Sequence, residues 1–142
     1  MILAFHLHRP PRSANKGPRP EYTRAIAEAA RQHYAGDLVT GPLYSRIIWF
    51  HKYESLQGDA DNIAKRIHDA LKGVLFADDR IVTHTMSIRV DASQPVDIVS
   101  GPDLDSAGRS LAISLADETV RDILYIELGR QVDRRIHLGP IQ

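Results

Sequence analysis

The sequence predicts a single α+β domain over residues 1–142, built as a mixed sheet of about four strands with two main helices. Three observations carry that expectation. Apolar and polar residues alternate over residues 2–8 and 81–90, as half-buried strands require. Residues 43–51 and 123–128 are strand-length runs rich in Ile, Leu, Tyr, Trp and Phe. Residues 21–34 and 63–74 instead repeat their apolar positions at helical spacing. A chain of 142 residues is long enough to build one core without cross-links, and no internal repeat or linker divides it.

In chain order, residues 2–8 set Leu3, Phe5 and Leu7 against His6 and His8, and Pro10-Pro11 stops the strand. Residues 12–20 form a basic loop without apolar period. Pro20 suits a helix start, and Tyr22, Ile26, Ala29, Ala30 and His33 continue at helical spacing until Gly36 and Gly41-Pro42. Residues 43–51 are the second strand, in which Trp49 and Phe50 are expected in the core or at a subunit contact. The second helix has the clearest stripe, Ile63, Ile67, Ala70, Leu71 and Val74, with Asp61, Lys65 and Asp69 stepping by four along another face. In the third strand Val82, His84, Met86, Ile88 and Val90 alternate with Thr83, Thr85, Ser87 and Arg89. Residues 91–110 read as an irregular acidic insertion, with a short helix after Ser110, and residues 130–142 as an irregular tail.

Composition narrows the function. There is no cysteine, which excludes disulfides, thiolate metal sites and cysteine nucleophiles and suits a reducing cytoplasm. No apolar run is long enough to span a bilayer, and Met1 to His8 lack the basic lead of a secretory signal, so a cytoplasmic protein with no membrane partner is expected. The formal net charge is zero, but its distribution is uneven. Arg9, Arg12, Lys16, Arg19, Arg24 and Arg31 crowd the early chain. Asp91, Asp97, Asp103, Asp105, Asp117, Glu118 and Asp122 dominate a later stretch. Arg9, Arg12, Lys16 and Arg19 are candidate phosphate contacts, with an ordinary solvated surface as the alternative.

The chemistry concentrates in Asp59-Ala60-Asp61-Asn62-Ile63-Ala64-Lys65 and Asp78-Asp79. Mg²⁺ takes hard oxygen ligands, and two aspartates one residue apart at a helix entrance can aim both carboxylates at one point. A third, Asp78 or Asp79 before the next strand, can join them, and Lys65 can stabilise charge developing on a phosphodiester. The other reading is equally open at this level: Asp59 and Asp61 as turn and helix caps, Asp78-Asp79 as a plain turn, and Lys65 in an exposed helical ion pair.

The pattern Asp59-x-Asp61-Asn62-x-x-Lys65-x-x-x-Asp69-Ala70-Leu71, then Gly73-x-Leu75-x-x-Asp78-Asp79-x-x-Val82, resembles the signature of the RusA family of Holliday-junction resolvases. Residues 10–15 (PPRSAN) are weakly similar to that family's loop after its first strand. The resemblance implies a small, homodimeric, RusA-like endonuclease that uses Mg²⁺, with Mn²⁺ as a possible substitute, on four-way-junction DNA. Carried over by position, Asp59, Asp61 and Asp79 are the catalytic metal ligands and Lys65 the catalytic lysine. Asn62, Asp69 and Asp78 are supporting positions. The chain departs from the family in lacking an arginine run before Asp59, where it has His51-Lys52-Tyr53-Glu54 instead, and in its acidic insertion. A non-cleaving DNA-binding protein of the same fold, or a nuclease for flaps or other structured nucleic acid, are the alternatives. His6 and His8 share a strand face and are expected at the surface, as is His68.

Overall fold

The computed structural model describes residues 1–12, 17, 19–53 and 63–140. Its order is β1 (Leu3–Leu7), α1 (Pro20–His33), β2 (Leu43–His51), α2 (Ala64–Leu71), β3 (Val82–Asp91), α3 (Asp105–Ala116) and β4 (Asp122–Arg130). The four strands form one mixed sheet in the order β1-β4-β2-β3. β4 runs antiparallel to both β1 and β2, whereas β2 and β3 are parallel, joined by the crossover that contains α2.

Alternation along the strands gives the sheet two distinct faces. Leu3, Phe5, Leu43, Ile47, Trp49, Leu124, Ile126 and Leu128 turn toward α1 and α2. α1 begins at Pro20, whose fixed φ suits the first helical position, and buries Tyr22, Ile26, Ala27 and Ala30 against this face. α2 adds Ile67, Ala70 and Leu71 to the same core. Val74 and Leu75, just beyond the end of α2, complete it and are buried.

The opposite face carries Phe50, Ile123 and Tyr125 under Leu111 of α3, with Val96 and Ile98 from the preceding segment packed on them. Here the sequence expectation needs correction. Residues 91–110 are not an irregular insertion throughout: α3 starts at Asp105, and the segment before it forms a second covering layer. Leu111 is buried while Ile113 is 73% exposed, so the apolar residue that blurred the helical period faces solvent. Among the described residues, three α-helices accompany the predicted four-stranded mixed sheet: the two main ones and the expected short helix, which begins earlier, at Asp105. After β4, residues 131–140 form no helix or strand, as expected.

β3 contains a second correction. The register shifts between Leu43 paired with Val82 and Tyr44 paired with His84, leaving Thr83 as an extra residue. Val82 therefore packs with the α1/α2 core, and of the predicted alternating set His84 and Met86 are exposed while Ile88 and Val90 are partly buried.

Candidate active site

Asp59, Asp61 and Asn62 lie outside the described residues, as does Lys16. The elements that follow them carry the remaining residues of the motif. α2 turns Ile67, Ala70 and Leu71 inward and leaves Lys65 and Asp69 outward, as the stripe predicts. Lys65 Nζ stands 3.8 Å from Asp69 Oδ2 one helical turn on.

The chain then reverses tightly. Gly73 adopts a φ of +82°, a left-handed conformation that costs glycine little and other residues more. Gly73 N–H donates to the Phe76 carbonyl at 2.8 Å, and Leu75 N–H donates to the Leu71 carbonyl at 3.0 Å. Val74, Leu75 and Phe76 are buried, and the Leu75 carbonyl accepts from Val39 N–H at 2.7 Å. This buried hook fixes where Asp78 and Asp79 emerge before β3.

The two aspartates are held differently. Asp78 precedes the short 3₁₀ turn Asp79–Ile81, and its carboxylate accepts from Arg80 N–H at 2.9 Å and from Arg80 Nε–H at 2.9 Å. Those bonds from Arg80 hold its carboxyl below the usual range. Asp79 is turned instead toward α2, with Oδ2 3.7 Å from Lys72 Nζ, and Lys72 also stands 3.4 Å from Asp69 Oδ1. The hydrogen bond to Asp69 and the charge of Asp79 raise the Lys72 ammonium above its ordinary value, so it stays charged. Lys65, Asp69, Lys72 and Asp79 thus form one row of alternating charge running from α2 to the turn before β3.

Beneath this row lies a residue whose environment the sequence did not reveal. His68 was expected at the surface but is 8% exposed, with Nε2 2.8 Å from Ser45 Oγ of β2. Burial lowers its pKa, opposed by the nearby charges of Asp79 and Asp69. Its position beside the apolar stripe of α2 was the available signal. Lys72 was missed as well, although its spacing of three from Asp69 marks a helical pair.

The C-terminal end of β2 gathers rings and arginines. Arg89 of β3 lies over the Trp49 ring and donates through Nε–H to His51 Nε2 at 3.1 Å, while Arg121 lies over Tyr53. In place of an arginine run before Asp59, other elements bring arginines to this end of β2. Trp49 Nε1–H donates to Asp122 at 2.9 Å, and the ring is core, as expected.

Of the candidate phosphate contacts, Arg9 is engaged bidentately with Glu21, at 3.0 and 3.2 Å, and lies over Tyr22. Arg12 Nε–H donates to the Gly17 carbonyl at 2.8 Å, and Arg19 occupies the position before α1. His6 and His8 are not simply at the surface: both rings approach Ser114 Oγ of α3 at 2.9 Å.

The exposed carboxylates of this region are hard oxygen donors, the type that Mg²⁺ takes. Among the described residues, no group of three His, Cys, Asp or Glu side chains is close enough to hold a metal ion. Among them, too, no helix is long and apolar enough to cross a membrane.

No curated protein matches the chain. A family model described as endodeoxyribonuclease RusA matches residues 16–98, more than half of the sequence, and this span contains every acid and lysine of the motif from Asp59 to Asp79. The chain belongs to the RusA endodeoxyribonuclease family.

Proposed function

We propose that this chain is a cytoplasmic, metal-dependent endonuclease that nicks branched DNA and resolves four-way junctions in recombination and repair. The observation that carries this reading is the family match across residues 16–98, which takes in the whole acidic motif. In it Asp59, Asp61 and Asp79 hold Mg²⁺, or Mn²⁺ in its place. The ion, when bound, supplies Lewis acidity and lowers the pKa of a water.

The protein's own residues do the rest. Lys65, exposed on α2, stabilises negative charge as the phosphodiester is attacked and the leaving oxygen departs. Asp69 orients Lys65 through their ion pair. Asp78 anchors the turn through Arg80 and so sets the direction of Asp79. The hook at Gly73 fixes α2 relative to that turn, which preorganises lysine and carboxylate before DNA arrives. Arg12, Lys16 and Arg19 contact the DNA backbone, and Arg9, bonded to Glu21, braces their segment. Two copies in a homodimer would each cut one strand of a junction.

The test uses labelled four-way junction, flap and linear duplex, each with Mg²⁺ and with EDTA, beside Asp61→Asn. Paired symmetric nicks in the junction alone, lost in EDTA and in the variant while binding persists, are expected. Preferential cutting of the flap would transfer the substrate assignment, and no metal-dependent cleavage of any substrate would end the nuclease reading.

A further inference from the structure

Lys72 closes α2 and joins two carboxylates from different elements. Its Nζ lies 3.4 Å from Asp69 Oδ1 and 3.7 Å from Asp79 Oδ2. The backbone there is fixed by the Gly73 reversal and by the bridge that pairs Lys72 with Phe76. Its side chain is 42% exposed, so the ammonium can leave the carboxylates for solvent on a flexible stem. Lys65 is placed otherwise: it meets the far oxygen of Asp69 at 3.8 Å.

We propose that Lys72 is an internal counter-ion that competes with a divalent metal for Asp79 and thereby sets the affinity of the metal site. The inference rests on Asp79 being a metal ligand, as proposed above. An ammonium beside a carboxylate cancels the negative charge that draws a cation in. Mg²⁺ depends strongly on that charge, because it sheds water reluctantly and is held by few protein ligands. A single positive charge opposing a divalent one across about 6 Å of water-like medium changes affinity roughly tenfold. Lys72 therefore keeps Asp79 neutralised until the metal displaces it. A lysine that only positioned Asp79 would act in the opposite sense, since its loss would weaken metal binding.

The sign of the effect decides between these roles. Mg²⁺ is titrated calorimetrically, and Mn²⁺ by electron paramagnetic resonance, into the full chain without DNA, comparing wild type, Lys72→Met, Lys72→Arg and Asp79→Asn. Lys72→Met is expected to bind metal about tenfold more tightly, Lys72→Arg to match wild type, and Asp79→Asn to bind more weakly. Unchanged or weaker binding by a Lys72→Met protein with wild-type circular dichroism would overturn the proposal. Equal binding by wild type and Asp79→Asn would remove Asp79 as a ligand, and the counter-ion role with it.

Discussion

The two faces of the sheet bury polar groups in different ways. On the α3 face, Glu127 is 2% exposed, yet its carboxylate accepts from Tyr44 Oη at 2.7 Å and from Tyr125 Oη at 2.7 Å, with Arg46 at 3.4 Å. Burial and the adjacent carboxylate push both tyrosines well above their ordinary pKa. That network is closed on itself. Along α2, the carboxylates of Asp69 and Asp79 stay partly exposed and, among the described residues, form their ion pairs with Lys65 and Lys72. A buried, fully bonded acid specifies the fold; a row of exposed acids and lysines remains available to partners from outside.

This contrast breaks most sharply in activity. Asp79→Asn is expected to lower Mg²⁺-dependent cleavage by roughly 100-fold or more without unfolding the protein, on the scale of losing a positioned electrostatic group. Asp78→Asn keeps a capping side chain and should retain most of the activity, measured in the same junction-nicking assay. Equal losses in the two variants would erase the distinction between ligand and cap.

The other face should respond in stability instead. Glu127→Ala leaves two tyrosine hydroxyls without their acceptor and is expected to cost about 2–4 kcal/mol in urea unfolding, with cleavage per folded molecule preserved. Gly129→Ala tests the same network from its edge. A Cβ there would meet the Tyr44 ring at 2.5 Å, so a loss of about 1–3 kcal/mol is expected from forced displacement of that ring.

Smaller effects come from charge. Exchanging Arg12 for Glu should weaken DNA binding and flatten its dependence on salt by about one unit of logarithmic slope. An unchanged slope would remove this loop from the interface. His6 gives a pH signature on the α3 face: burial first, then the charges of His8 and His33, lower its pKa below the ordinary 6.5. The unfolded chain therefore takes up the proton first as pH falls, so stability present above about pH 6.5 declines below it. His68 adds a change of the same sign. Thermal unfolding from pH 7.5 to 5 should show the decline, and His6→Gln should reduce it.

The legible parts of the molecule were those where one physical signal dominated. The stripe Ile63, Ile67, Ala70, Leu71 had only one reading, and α2 buries the latter three of these residues with Ile63 beside them. α3 was harder, because Asp105, Ser106, Gly108 and Ser110 hide its apolar side while Ile113 points outward. The motif supplied Lys65, Asp69 and Asp79 as a set, and they do lie along one surface row. His68 was misjudged because its partner, Ser45, is a polar residue buried inside an apolar strand. The reach of Lys72 depends on the Gly73 reversal, which spacing along a helix cannot convey.

The strand order has a consequence for synthesis. β1 touches the sheet only through β4, where Leu3 pairs with Leu128, and β4 also separates β1 from β2. On the ribosome β1 must therefore wait, unpaired, until β4 has been translated. The β2–α2–β3 unit can gather earlier, but Leu124, Ile126 and Leu128 of its core are still missing. A nascent chain stalled before β4 should be digested readily by protease, and DNA-cutting competence should arrive late and all at once.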